Sequence, residues 1–327
     1  MEHSETNGFW FGLKRSIPGC YVSFHKQLGD LVLLEPSLTK LRDYHGVPVR
    51  LMTRGGFRPL LELMPGIQFV LGPPLAISTT AYCYDHLTKS AIRSVLTPTL
   101  FRKAVLPEAR EVTKWHRRVF PKITGLQLGR EYVAKYFWEN TPVPSSKSFR
   151  PPQLIPPPTA WRPAFLPEFD YILCSPTAGW HEKSWTAEYW AQTLLAVYEM
   201  TGLPIFVTGE SSGWQLKHCQ QIERLAAPAV TSLAGKTSLQ NFLWLSANAK
   251  MILAVDGAAS HLATAFDIPA LTLFGSLNMP NWHWPTPKHR ALLSPNIGTV
   301  ELPLRKFSPT TVIENIRELW SQAKDPG

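Results

Sequence analysis

Several features that define common protein classes are missing from this chain of 327 residues. It has four cysteines, which form no CxxC pair and lie far apart, at Cys20, Cys83, Cys174 and Cys219. This usage favours neither a metal site nor a disulfide framework and is typical of a reducing compartment. The amino terminus lacks a basic-then-apolar secretion signal, and no apolar run is long enough to span a bilayer. We therefore expect a cytoplasmic protein.

Three well-known catalytic motifs are also missing. No GxGxxG follows a predicted strand, and neither GxxxxGK[ST] nor HExxH occurs. A nicotinamide dehydrogenase, a P-loop enzyme and a zinc hydrolase would carry these motifs, because each motif supplies the groups that hold the cofactor, phosphate or metal. All three classes therefore lose support.

The chain has more basic than acidic residues. It has 33 Lys and Arg against 24 Asp and Glu, a formal net charge of +9. Such a balance favours an anionic partner, namely a nucleotide, an acidic glycolipid, a membrane surface or nucleic acid, although solubility alone would explain it equally well. The cations are dispersed and form no polybasic tail, which argues against a nucleic-acid-binding module.

The pattern of apolar segments indicates an α/β protein with two similar halves. Each half alternates short apolar runs, typical of buried parallel strands, with helical periodicity. Between the halves, from Pro142 to Pro167, prolines are too dense for a regular element. We predict an amino-terminal Rossmann-like domain over residues 1–150, a stiff linker over 151–168 and a carboxyl-terminal Rossmann-like domain over 169–327, with a cleft between the domains.

The first strand of the chain is predicted at Cys20 to Phe24, and the first helix at Leu31 to Arg42. This places Gly29 and Asp30 in the turn between strand and helix. A carboxylate at that position caps the helix, and it also lies where ligands of such sheets bind.

The stretch from Met251 to Ser276 predicts a strand, a tight turn, a short helix and a second strand. Asp256, Gly257 and Ala258 form the turn, and His261 follows in the helix. The free N–H groups and positive dipole at a helix start suit a diphosphate. The alternative is an ordinary βαβ unit in which Asp256 caps the helix and His261 packs against a strand.

Other strand ends in the second half carry similar groups. Thr177 and Lys183 follow the strand predicted at Asp170 to Ser175, Glu210 follows the next strand, and Thr237 opens a later helix. Sugar transfer from a nucleotide needs a base for the acceptor hydroxyl and positive groups for the departing diphosphate. These residues could supply the positive groups and donor contacts, or they could be a surface cation, turn formers and a loop carboxylate.

Three of these segments resemble glycosyltransferase family 9, the bacterial heptosyltransferase family. The segments are Leu28 to Val32 with Pro36 and Leu38, Pro176 to Trp185 with Trp190, and Asp256 to Gly275 with its His261, Pro269 and Phe274. The family usually has Ser or Thr and then Gly after the Asp of the last segment. Here Gly257 and Ala258 follow Asp256, so that hydroxyl is missing.

The resemblance implies a GT-B fold and an inverting, metal-independent glycosyltransferase whose common donor is ADP-heptose. It implies that Asp30 is the base, that Lys183 contacts the donor diphosphate in a motif with Thr177, and that Thr237 lines the nucleotide pocket. The Asp256, Gly257, Ala258 and His261 signature belongs to the donor site, and we add Glu210 as a candidate partner of the ribose.

The implied acceptor is a lipopolysaccharide-type or other anionic surface glycan, which allows peripheral contact with the inner face of the inner membrane. The cations between Leu100 and Arg118, where we expect helical stretches, form either a solvated face or a wall for this acceptor. Two alternatives remain open. One is a GT-B enzyme of the nucleotide-sugar 2-epimerase type, and the other is a non-catalytic protein that binds a nucleotide-sugar.

Overall fold

A computed structural model describes residues 19–71, 80–84, 103–106, 122–125, 131–166, 168–275, 279–294, 304 and 307–324. Residues 1–18 and most of the cation-rich stretch from 100 to 118 lie outside them. The described part of that stretch, Lys103–Leu106, is a strand. The helical stretches expected elsewhere in it lie outside the described residues.

The first half of the chain forms a six-stranded sheet in which every pairing is parallel. Its strands are β1 Cys20–Ser23, β2 Val49–Met52, β3 Ile67–Val70, β4 Thr80–Cys83, β5 Lys103–Leu106 and β6 Lys122–Gly125, in the order 3-2-1-4-5-6. The accompanying helices are α1 Leu28–His45, α2 Arg58–Glu62 and α3 Val133–Asn140. This is the strand order of a doubly wound nucleotide-binding fold.

The second half repeats the same topology. Its strands are β7 Ile172–Ser175, β8 Ile205–Val207, β9 Val230–Ser232, β10 Met251–Val255, β11 Ala270–Phe274 and β12 His289–Leu293. They pair in parallel in the order 12-11-10-7-8-9. The helices are α4 Ala187–Thr201, α5 Gly213–Ala226, α6 Leu239–Asn248, α7 Ala258–Phe266, α8 Met279–Trp282 and α9 Pro309–Lys324.

The local sequence accounts for most of these elements. Every residue of β10 and β11 is buried, as their unbroken apolar runs predict for strands covered on both faces. The hydroxyl of Thr186 accepts a hydrogen bond from the Tyr189 N–H and caps α4 as expected. Asp267 ends α7 in the left-handed conformation, with φ 57°, and so reverses the chain before Pro269.

Helix α1 begins earlier than the sequence predicts. Gly29 and Asp30, expected in a loop, belong to its first turn. The reason is a local hydrogen bond, in which Asp30 Oδ2 accepts from the backbone N–H of Gln27 at 3.1 Å and makes Gln27 the cap. Pro36 lies in the interior of the helix.

A buried ion pair ties α1 to the proline-rich segment. Glu35 is only 2% exposed. Its two carboxylate oxygens accept from the Arg150 guanidinium at 2.7 and 2.8 Å, from the Thr39 hydroxyl at 2.6 Å and from the Gln153 N–H at 3.0 Å. A buried carboxylate is tolerated only when its lone pairs are satisfied in this way.

The segment held by this ion pair then runs between the two halves. The Leu154 N–H donates to the Ala265 carbonyl of α7 at 3.0 Å, and the Ile155 N–H donates to the Leu63 carbonyl beyond α2 at 3.1 Å. Leu243 of α6 and Leu262 of α7 pack into the hydrophobic core of the first half. The two halves therefore pack against each other through apolar side chains, and this packing determines how their sheets face each other.

In the part of the chain described here, no helix is both long and apolar enough to cross a membrane. The prediction that prolines exclude regular structure holds for the described residues between 142 and 166, where the structure has only the single turn of 3-10 helix at Thr159–Trp161.

Replacing Arg150 by Met should lower the free energy of unfolding by about 3 kcal/mol, because it leaves the Glu35 charge buried and only partly satisfied. Lys147→Met is the matched control, since Lys147 forms an exposed pair with Asp43 that contributes about 1 kcal/mol or less. Urea unfolding measures both variants. If both variants lost the same free energy of unfolding, the ion pair of Glu35 and Arg150 would contribute no more to stability than the exposed pair of Lys147 and Asp43.

Candidate functional site

The two sheets present their topological switch points to each other. In sheets of this order, ligands bind at the carboxyl edge where neighbouring strands lead to opposite faces. That position lies between β1 and β4 in the first sheet and between β7 and β10 in the second. Helix α1 follows β1 and helix α7 follows β10, and these two helices contact each other at their starts.

The contact between the two helix starts is close. A Cβ atom on Gly29 would lie 2.8 Å from Cδ2 of His261 and 3.4 Å from Cα of Ala258. Cβ atoms do not approach other heavy atoms to 2.8 Å, so any larger residue at position 29 would force His261 to shift. The Asp30 turn and the Ala258 turn are therefore parts of one site.

The centre of this site contains an ion pair between two of the predicted donor residues. Lys183 lies in a turn of 3-10 helix, His181–Lys183, after β7, and Asp256 directly follows β10. Lys183 Nζ donates to Asp256 Oδ2 at 2.5 Å. The Lys183 side chain is 38% exposed and that of Asp256 only 9%. Lys183 is thus not a free surface cation, and its ammonium has further N–H donors for a ligand.

Asp256 does not cap α7, so the alternative prediction that it acts only as the helix cap is wrong. The cap position is Gly257, and the Asp256 carboxylate binds Lys183 instead. Ser260 donates its hydroxyl hydrogen to the Gly257 carbonyl at 2.7 Å. The N–H groups of the first turn of a helix have no partner within it. The Ser260 N–H also donates to the Gly257 carbonyl, at 3.2 Å, so the donors that this turn could offer to an anion are the backbone N–H groups of Ala258 and Ala259.

His261 is buried in the same place, one turn into α7. Burial lowers its pKa, the carboxylates of Asp256 and Asp30 act in the opposite direction, and the Lys183 charge lowers it further. The net pKa lies below the ordinary value, so the imidazole is neutral at pH 7. Its ring centre lies 6.3 Å from that of Trp282. His261 therefore lies within electrostatic reach of Asp256, Asp30 and Lys183.

Asp30 supports the start of α1 from its first turn, although the cap residue itself is Gln27. Its Oδ2 accepts from the Gln27 N–H, and its side chain is partly exposed. The preceding loop is held by Arg54, which donates to the His25 carbonyl at 3.1 Å and to Gln27 Oε1 at 3.2 Å. A carboxylate has lone pairs for more than one donor, so capping leaves Asp30 able to accept a proton. Its role as the base stays a prediction.

The remaining donor candidates lie along the same edge of the second sheet. Thr177 is buried after β7, and Glu210 is exposed after β8. Thr237 lies after β9, next to Ser238, whose hydroxyl accepts from the Asn241 N–H and caps α6. The structure thus brings these three residues to one edge, while their contacts to a ligand stay a prediction.

Sequence reasoning missed one residue near the site. Gln215, in the first turn of α5, bonds both Thr177 and Ala178, and no motif in the sequence indicates it.

Two tryptophans also lie near the site. Trp282 and Trp284 pack against the core of the first half, and the ring of Trp284 lies at a centroid distance of 5.3 Å from the Tyr132 ring. Trp284 therefore belongs to the contact between the halves.

Among the described residues no group of three or more His, Cys, Asp or Glu side chains could hold a metal ion. Cys20, Cys174 and Cys219 are buried free thiols, and burial raises the pKa of each. None of these three is placed as a ligand.

Two parallel doubly wound sheets that face each other across such a site define the GT-B fold. Comparison with known proteins gives a family match over part of the chain. Residues 159–312 match glycosyltransferase family 9, described as heptosyltransferase. The second half of the chain is therefore similar to this family, and the resemblance expected from the sequence is confirmed.

Relatives of known sequence and structure agree with this result. Lipopolysaccharide heptosyltransferase 3 of Escherichia coli is 25% identical over 181 residues, which are 53% of this chain and 52% of that protein. The chain thus matches about half the length of that curated relative. The structure of E. coli ADP-heptose lipopolysaccharide heptosyltransferase II is 16% identical, with a TM-score of 0.72, over 94% of this chain and all of the other.

A second solved structure has the same fold. It is E. coli heptosyltransferase WaaC with ADP-2-deoxy-2-fluoro heptose, at 16% identity and a TM-score of 0.69, over 91% of this chain and 99% of that one. At such identity these likenesses establish the fold, and the GT-B prediction is confirmed.

The close contact at Gly29 can be tested directly. Gly29→Ala should lower the free energy of unfolding by about 1–3 kcal/mol, because the new methyl group overlaps His261. Without that contact, alanine in a helix would instead stabilise by up to about 1 kcal/mol. Gly56→Ala is the control, since a Cβ there meets nothing within 4 Å. Calorimetric melting of both variants measures these changes in stability. A Gly29→Ala protein as stable as wild type would contradict the close contact between Gly29 and His261.

Proposed function

We propose that the chain is an inverting glycosyltransferase that moves a sugar from a nucleotide donor to a glycan acceptor. The observation that supports this most strongly is the meeting of α1 and α7 at Gly29 and His261. It brings a carboxylate, Asp30, from one sheet close to the Lys183 and Asp256 pair of the other. A base and a cationic group on opposite sides of a cleft are what such a transfer needs.

The donor that we propose is ADP-heptose, bound to the second half. Helix α7 offers its first N–H groups and the positive end of its dipole to the diphosphate. Lys183 adds a full positive charge beside it, oriented by Asp256. The sugar identity rests on relatives. One is described as an ADP-heptose lipopolysaccharide heptosyltransferase, and another was solved with an ADP-fluoroheptose.

The proposed reaction is a single displacement at the anomeric carbon. Asp30 takes the proton of the acceptor hydroxyl, whose oxygen forms a bond to the anomeric carbon as the bond to the diphosphate oxygen breaks. Attack from the face opposite the leaving group inverts the configuration. The charge that develops on the ADP is stabilised by the α7 start and Lys183, and these protein groups allow transfer without a metal.

The acceptor that we propose is a lipopolysaccharide-type glycan. The curated relative is a lipopolysaccharide heptosyltransferase, and the net charge of +9 suits an anionic acceptor. A nucleotide-sugar epimerase would turn over the donor without any acceptor, whereas a transferase requires one. Measuring donor consumption with and without acceptor therefore separates these functions.

The role of Lys183 can be separated from its ion pair. Lys183→Met should lower turnover by about 10²–10³-fold, as does the removal of one preorganised electrostatic group. It should also destabilise the protein, because Asp256 is left buried without its partner. The double variant Lys183→Met with Asp256→Asn should recover stability but not turnover.

Lys288→Met is the matched control, since Lys288 pairs with Asp267 at the same 2.5 Å distance on the exposed surface. Its turnover should equal that of wild type. If the double variant of Lys183 and Asp256 recovered turnover as well as stability, Lys183 would serve only to neutralise Asp256.

The base can be tested by replacing Asp30 with Asn. The amide oxygen still accepts from the Gln27 N–H, so the start of α1 and the melting temperature should be preserved. An amide cannot take up the acceptor proton, so transfer should fall at least about 100-fold. ADP binding should stay intact, because Asp30 lies on the acceptor side. Near-normal transfer by this variant would show that the base lies elsewhere, with His25 in the preceding loop as the next residue to replace.

A further inference from the structure

The donor edge of the second sheet contains a hydrogen-bonding residue that none of the motifs includes. Gln215 lies in the first turn of α5, and its side-chain amide reaches back to two strand-end loops. Its Oε1 accepts from the Thr177 hydroxyl at 2.8 Å, and its Nε2 donates to the Ala178 carbonyl at 3.2 Å. The N–H of Glu210 points to the same Oε1 at 3.5 Å. One side chain thus joins the loop after β7 to the loop after β8.

The orientation of this amide is determined by its backbone partner. A carbonyl oxygen can only accept, so the Ala178 carbonyl requires the NH₂ end of Gln215. The oxygen of Gln215 must then face Thr177, whose hydroxyl gives its one hydrogen to it. In this arrangement the Thr177 hydroxyl offers only lone pairs to a ligand. It can accept from a ribose or sugar hydroxyl but has no hydrogen left for a phosphate oxygen.

The loops after β7 and β8 pack closely against their neighbours in the site. A Cβ on Gly209 would lie 2.8 Å from the Cys219 sulfur and 3.6 Å from the Thr177 hydroxyl, so the loop after β8 fits tightly against this residue. On the other side, a Cβ on Gly257 would lie 3.4 Å from the Ala178 Cβ. The Ala178 loop therefore lies beside the turn that begins α7.

We infer that Gln215 is a positioning residue of the donor site, which holds the loops after β7 and β8 in the geometry that binds the nucleotide. This inference rests on the proposed function, since it assigns these loops to the donor. Gln215 acts through Thr177, Ala178 and the Glu210 backbone rather than by touching the reacting atoms. Its loss weakens nucleotide binding more than it weakens the fold.

The test compares Gln215→Met with Gln220→Met in the full-length protein. Methionine keeps the length of the side chain and suits a helix but makes none of the hydrogen bonds. Gln220 lies exposed on the same helix and serves as the control. Calorimetric titration with ADP should give a dissociation constant raised at least about tenfold for Gln215→Met and unchanged for Gln220→Met. In transfer assays, KM for the donor should rise while KM for the acceptor stays constant.

Amide hydrogen exchange of the ligand-free proteins supplies a second measurement. Without Gln215, the Glu210 amide loses an acceptor and the Ala178 loop loses an anchor, so peptides covering both loops should exchange faster, while peptides of α4 should not change. A residue that merely stabilised the fold would alter exchange throughout the second half and leave ADP affinity of the folded protein unchanged. That pattern would overturn the inference.

Two further results of the ADP titration would lead to different conclusions. A lower ADP dissociation constant in Gln215→Met would show that Gln215 competes with phosphate for the Thr177 hydrogen, which would also overturn the inference. If the wild-type protein bound no ADP at all, the proposed donor would be wrong. The exchange measurement would still decide whether Gln215 holds the two loops together.

Discussion

Gly29 of α1 and His261 of α7 lie so close that no side chain fits between them, and the arrangement of the whole cleft depends on this contact. The two helices start at the switch points of two different sheets, so their contact places those switch points against each other. The surrounding interactions maintain it. Leu262 of α7 packs into the first core, and the Leu154 N–H bonds the end of the same helix.

Bringing two helix starts together has an electrostatic cost, because both carry the positive end of a dipole. An acid lies at each start, namely Asp30 in the first turn of α1 and Asp256 just before the Gly257 cap of α7, and an acid near a helix start offsets the dipole. Lys183 then neutralises the more deeply buried of the two carboxylates. Burial keeps His261 neutral in the middle. The charges of the site thereby offset one another, and the diphosphate that we propose as ligand would meet the Lys183 ammonium and the N–H groups at the start of α7 on the same side.

Two hydroxyl groups at this edge of the second sheet already donate to partners within the protein. Ser260 donates to the Gly257 carbonyl, and Thr177 donates to Gln215. The family usually has a further hydroxyl where this chain has Gly257. The proposed binding of the diphosphate consequently depends on the backbone of α7 and on Lys183. The α7 backbone is held by packing against the first core, and Lys183 is held by its ion pair with Asp256.

The sequence by itself determined the two β/α series, because apolar runs and caps are local signals. It also placed Thr177, Lys183 and Asp256 at strand ends, since such positions follow from where each apolar run stops. It misplaced the start of α1, because the bond between Gln27 and Asp30 makes an apparent loop helical.

Only the tertiary structure decided which of these groups meet. Lys183 and Asp256 are 73 residues apart in the chain, and Glu35 and Arg150 are 115 apart. No local pattern encodes such pairs, and the same holds for the amide of Gln215 and for the space that requires glycine at position 29. They result from the packing of one sheet against the other, which depends on the whole buried surface rather than on any single segment.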